Sequence, residues 1–68
     1  MRYSYNKLWK LLIDKNMKKK DLESIIGIAS STIAKMSKEQ PVSLEIIGRI
    51  CKFFKCNVGD ILDITYWK

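Results

Sequence analysis

Apolar residues recur along this chain at helical spacing, and the pattern restarts several times. Leu8, Leu11 and Leu12 fall at i, i+3 and i+4, with Tyr5 one turn earlier. Trp9 and Ile13 form a second pair that widens the stripe. This spacing predicts a helix from Tyr5 to Lys15, capped by Ser4 and stopped by Asn16, a residue that tolerates left-handed backbone. Leu22, Ile25 and Ile26 repeat the spacing and predict a second helix from Lys19 to Ile26. Met17 and Leu22 are placed as a hydrophobic staple around a cap at Lys18, and Asp21 falls where the helix dipole favours a carboxylate. Gly27 then supplies the positive φ with which many helices end.

A third pattern follows almost at once, from Ser30 to Ser37. Ala29, Ile33 and Met36 gather on one side of it, whereas Ser31, Ala34, Lys35 and Lys38 gather on the other, with Ser30 at the margin. Two helices joined by a tight glycine-containing turn make a helix-turn-helix unit. Residues 37–43 form a loop with the only proline, after which Ser43 caps a fourth helix running to Lys55. Its main stripe is Leu44, Ile47, Cys51 and Phe54, flanked by Ile50, with Ile46 and Phe53 at the edge. Asn57 is placed to cap a fifth helix, Val58 to Asp63, with Ile61 and Leu62 inward. Both ends of the chain are aromatic or β-branched, so residues 2–4 and 63–67 are candidates for a short antiparallel ribbon. The expected architecture is all-α, a five-helix domain over residues 1–68 with that ribbon at its ends.

Composition adds a charge. The 68 residues hold 13 Lys+Arg against 7 Asp+Glu, a formal +6. Residues 1–20 alone carry +6, residues 21–40 carry −1 and residues 41–68 carry +1. A local basic excess on a small domain points to a polyanionic partner, and equally to a merely solvated face. The hydrophobic content of 47% excludes a disordered tail, and no apolar run approaches a membrane span. No secretory signal is visible at the N-terminus, so a cytoplasmic location is expected. The chain has no His, and no paired carboxylates or nucleophile–base arrangement stand out, so neither an enzyme nor a cofactor or metal site is expected. Cys51 and Cys56 are too few for a disulfide scaffold, and Cys51 falls on an apolar stripe as a small core residue.

The stretch Met17-Lys-Lys-Lys-Asp-Leu-Glu-Ser-Ile-Ile-Gly-Ile-Ala-Ser-Ser-Thr-Ile-Ala-Lys-Met36 resembles the helix-turn-helix of the lambda-repressor and Cro-like family, the xenobiotic-response-element family of bacterial and phage regulators. Pro-Val-Ser-Leu at residues 41–44 and Cys-Asn-Val-Gly-Asp-Ile-Leu at residues 56–62 extend the likeness over residues 5–62. Leu22, Gly27, Ile33 and Met36 stand where the family has its leucine, turn glycine and packing residues. Glu23 stands where a small residue is usual, and Lys18 and Ala29 replace polar caps. The resemblance implies binding of operator DNA, generally as a dimer, and repression by occupancy of the operator.

Groove dimensions give the same reading residue by residue. A helix fits the major groove of duplex DNA, with the second helix of the unit reading bases and the first crossing the backbone. Ser30, Ser31, Ala34 and Lys35 are therefore the candidate base contacts, and Lys18, Lys19, Lys20 and Lys38 the candidate phosphate contacts. Ser30 also shares in capping the third helix, since Ala29 has no acceptor. An apolar surplus remains: Ile46 and Phe53, with Tyr3, Tyr66 and Trp67, exceed what so small a core needs. Ile46, Phe53, Tyr66 and Trp67 form either a homodimer interface or a seal made by the tails over the fourth helix. A different class of function stays open on the same surface, that of a protein-interaction module such as an antitoxin or adaptor component. No small-molecule ligand is indicated.

Overall fold

The computed structural model describes residues 2–65. It begins with a strand, β1 (Arg2–Ser4), followed by helix α1 (Asn6–Asp14). Helix α2 (Lys19–Asp21) is a single turn that widens into a π-helical stretch, Leu22–Ile26. Helices α3 (Ser30–Ser37) and α4 (Leu44–Phe54) follow, then a 3-10 turn, Val58–Asp60, and strand β2 (Asp63–Thr65). The domain is thus predominantly helical with a small two-stranded sheet, and a fifth full helix is not formed. After one turn at Val58–Asp60 the chain must straighten, because Asp63 pairs with Ser4, Ile64 with Tyr3 and Thr65 with Arg2. The expected ribbon is present over residues 2–4 and 63–65.

One core holds these elements together. Tyr5, Leu8 and Leu12 from the α1 segment meet Leu22, Ile28, Ile33, Met36, Ile47, Ile50 and Ile61. Burying a side chain of this size contributes roughly 1.5–3 kcal/mol, so ten of them set the stability of the chain. Tyr5 is buried yet satisfied, since its hydroxyl donates to the Gln40 carbonyl at 2.8 Å. Burial pushes the Tyr5 phenol above its ordinary pKa. That burial displaces the first helix cap. Tyr5 occupies the cap position, while Ser4 lies in β1 and accepts only a long bond of 3.4 Å from the Asn6 N–H.

Four apolar assignments made from spacing fail, each for a local reason. Ile25 is 55% exposed because a π-helical turn holds more residues than an α-turn, so position i+3 no longer lies over position i. Leu44 is 80% exposed at the first position of α4, before the helix reaches the core. Ile13 is exposed in the last turn of α1, beyond the buried Leu8 and Leu12. Ala29 is exposed as the extended residue before α3, and Ile28 takes the buried place. Of the edge residues on α4, Ile46 is half-buried and Phe53 is 44% exposed, edge-on to Phe54. Tyr66 and Trp67 lie outside the described residues.

All four helices stop in the same way. Asn16, Gly27, Glu39 and Lys55 adopt left-handed backbone, with φ of 57°, 84°, 59° and 55°. The next residue then folds its N–H back onto the helix: Met17 to the Leu12 carbonyl, Ile28 to Leu22, Gln40 to Lys35 and Cys56 to Cys51. These bonds satisfy carbonyls that a helix end leaves unpaired. A Cβ on Gly27 would meet nothing within 4 Å, so a substitution there costs backbone strain alone. Gly27→Ala should destabilise the fold by roughly 1–2 kcal/mol and Gly27→Asn by less, whereas Lys55→Gly should stabilise it by about 0.5–1 kcal/mol. Urea unfolding midpoints measure all three.

Candidate nucleic-acid interface

The fold presents α3 through the turn that precedes it. Asp21 accepts the Lys18 N–H at 2.8 Å, which starts α2 despite the lack of an acceptor on the lysine itself. The π-helical stretch then carries Leu22 into the core and leaves Glu23 exposed. Gly27 reverses the chain, and Ile28, 2% exposed, anchors the far side of the turn. The Thr32 and Ile33 N–H groups both return to the Ala29 carbonyl, at 3.0 and 3.1 Å, so α3 begins within two residues of that anchor. No side chain caps α3, so Ser30 is its first residue and not its cap.

Helix α3 is divided as its spacing requires. Ile33 and Met36 are buried. Ser30, Ser31, Ala34 and Lys35 are all exposed, as is Lys38 directly after the helix, while Thr32 is half-buried. The outward surface therefore combines two hydroxyls, a methyl and two ammonium groups. Those groups can donate to or accept from base edges, touch a thymine methyl and neutralise phosphate.

The lysine triplet does not act as one block. Lys18 and Lys19 border a cleft of about 200 Å³ with Trp9, Leu12, Ile13 and Met17. Lys20 instead borders a separate groove with Asp21, Glu23 and Ser24, where two carboxylates offset it. Lys19 is the structured member. Its ammonium lies 4.3 Å from the centroid of the Trp9 ring and donates to the Ser37 hydroxyl at 3.1 Å. A single side chain on α2 thus ties the aromatic face of α1 to the last residue of α3. Trp9 and Ser37 are the neighbours of Lys19 that spacing missed. Trp9 reads as core from its position four before Ile13, and nothing in the sequence marks Ser37 as its neighbour through Lys19.

The exit from α3 is fixed as well. The Glu39 carboxylate pairs with Arg2 of β1 at 2.8 Å, and the Gln40 carbonyl receives the Tyr5 hydroxyl. Helix α3 is therefore held at both ends, by Ile28 where it starts and by the N-terminal segment where it stops.

With this geometry in place the chain can be compared with known proteins. Residues 7–65 match the family described as the Cro/C1-type HTH DNA-binding domain. The chain belongs to this family. A solved structure of the transcriptional regulator VanUg has 50% sequence identity to it and superposes with a TM-score of 0.86. That likeness covers 91% of this chain and 83% of VanUg. No curated relative matches the sequence. The matched range takes in α1 from Lys7 onward, with α2, α3 and α4 and the left-handed turn at Gly27. Among the described residues no helix is long and apolar enough to cross a membrane.

The Lys19 bridge has a measurable worth. A double-mutant cycle of Trp9→Leu and Lys19→Met in urea unfolding should give a coupling of about 0.5–1 kcal/mol. Strict additivity would show that the ring and the ammonium do not interact.

Proposed function

We propose that this chain is a sequence-specific double-stranded-DNA-binding transcription regulator that represses by occupying its operator. The observation that carries the reading is the outer face of α3, on which Ser30, Ser31, Ala34 and Lys35 are exposed together while Ile33 and Met36 anchor the helix. Membership of a DNA-binding family and 50% identity to a transcriptional regulator support it. Repression by occupancy asks nothing further of the chain than tight binding in the path of transcription.

In this reading α3 enters the major groove. Lys35 reaches a guanine O6/N7 edge, Ala34 contacts a thymine methyl, and Ser30 and Ser31 donate or accept at neighbouring edges. Lys18, Lys19 and Lys38 meet phosphates on either side, and Lys20 adds least because Asp21 and Glu23 share its groove. Lys19 serves by being stationed. Its cation–π contact and its bond to Ser37 fix an ammonium beside the end of α3 before DNA arrives, which lowers the ordering cost of the contact.

The domain acts as a homodimer, with Ile46 and Phe53 at the interface and Tyr66 and Trp67 completing it. Support comes from Phe53, which borders an open groove of about 430 Å³ with Ile26, Arg49 and Lys52. A protein-interaction role, as antitoxin or adaptor, draws on the same surface and is separated from the dimer by what occupies it. Phe53→Glu should convert a dimer into a monomer in light scattering. A wild-type chain that is monomeric at all concentrations would reject the dimer.

Selection of duplexes from a random pool, followed by anisotropy titrations, tests the main reading. With three or four phosphate contacts per chain, affinity should fall about 40- to 150-fold for each bound chain between 50 and 200 mM salt. Lys35→Ala should cost about 1–3 kcal/mol on the selected site and relax preference at one base pair, while Lys38→Ala should weaken all sequences alike. Absence of selected duplexes, or binding indifferent to salt, would reject the proposal.

A further inference from the structure

The left-handed turn at the end of α4 carries both cysteines, and the geometry of that turn brings them together. Lys55 takes a φ of 55°, and the Cys56 N–H donates to the Cys51 carbonyl at 3.0 Å. In this kind of helix end, the side chain after the left-handed residue packs on the one three positions before the helix stops. Those two side chains are Cys56 and Cys51. Both are half-buried, both pack against the core cluster, and neither is in a disulfide. Burial pushes the Cys56 thiol up, and the adjacent Cys51 thiol adds to the shift. Neither residue belongs to the α2–α3 unit, so reading DNA leaves this pair unused. Among the described residues no group of three or more His, Cys, Asp or Glu could hold a metal ion, so the two thiols stand on their own chemistry.

We propose that Cys51 and Cys56 are a preorganised dithiol that a hydroperoxide closes into an intramolecular disulfide, making the end of α4 a modification site. The Cys51 sulfur, as thiolate, attacks the terminal oxygen of the hydroperoxide. The O–O bond breaks, the alcohol departs with a proton, and Cys51 becomes a sulfenic acid. The Cys56 sulfur then attacks the Cys51 sulfur. The S–O bond breaks, and the Cys56 proton leaves with the hydroxide as water. Two thiols and one hydroperoxide become one disulfide, one alcohol and one water, with two electrons passing from the sulfurs to the O–O bond. The backbone bond already brings residues 51 and 56 into one turn, so the fold meets part of the loop-closure cost of the disulfide.

Folding and closure are then linked, each favouring the other by the same factor. Equilibration of the purified chain with reduced and oxidised glutathione, with and without denaturing urea, measures that factor by mass. The disulfide constant should be higher in the folded chain by about tenfold or more, and oxidation should raise the urea midpoint. Equal constants, or a lower one in the folded chain, would overturn the proposal, and the comparison needs no variant. Limiting hydrogen peroxide should remove the mass of two hydrogens per monomer. Cys51→Ser and Cys56→Ser should each block that loss. Accumulation of sulfinic acid or of disulfide-linked dimers in the wild-type chain would also overturn it.

Discussion

Short helices must be stopped and turned within one or two residues if a chain of this size is to enclose a core, and left-handed backbone does this at Asn16, Gly27, Glu39 and Lys55. Each stop sends the following N–H back to the helix it leaves. Three of the residues so turned, Met17, Ile28 and Cys56, carry apolar or soft side chains that pack on the core. The constraint therefore links backbone to packing: moving a stop by one residue would rotate the next side chain off the core. The cost is the strain of left-handed backbone at a Glu and a Lys, roughly 1–2 kcal/mol each. The core that the stops close offsets it.

The outer face of α3 inherits its orientation from these stops. Gly27 sets where α3 begins, and Glu39 sets where it ends. Between them Ile33 and Met36 fix its rotation by burial, so the outward set of Ser30, Ser31, Ala34 and Lys35 is determined by what lies beneath. Lys19 adds a tie that is independent of the core, through an indole ring on one side and a hydroxyl on the other. Its position is built into the free protein.

How far this could be read in advance differs by element. Helix α3 was legible in extent and in its outer face, because eight regular positions with two buried anchors leave one possible outer face, while Ala29 and the cap expected of Ser30 fell outside that regular stretch. Asn16 and Gly27 were legible as stops because their side chains permit left-handed backbone, whereas Glu39 and Lys55 announce nothing and are held there by the bonds from Gln40 and Cys56. The second helix was legible in extent and not in phase: an α-helical repeat puts Ile25 inward, and the π-helical stretch takes it out. The fifth helix was overestimated because its residues suit a helix while Asp63 is needed by Ser4 across the ribbon. Tertiary demand overruled local preference there, as it did at Ser4. The lysine triplet shows the limit most clearly, since three adjacent like residues enter two different grooves and only one of them finds an aromatic ring.

The terminal ribbon joins residues from opposite ends of the sequence, Arg2 with Thr65 and Ser4 with Asp63. Closing a loop of that length costs more entropy than pairing neighbours in sequence, and three residue pairs hold the ribbon. Arg2 also pairs with Glu39, so the ribbon and the exit of α3 share a residue. With the ribbon open, the helices and the core would remain, Tyr5 and its bond to Gln40 included, and α3 would lose only the Arg2–Glu39 pair at its exit.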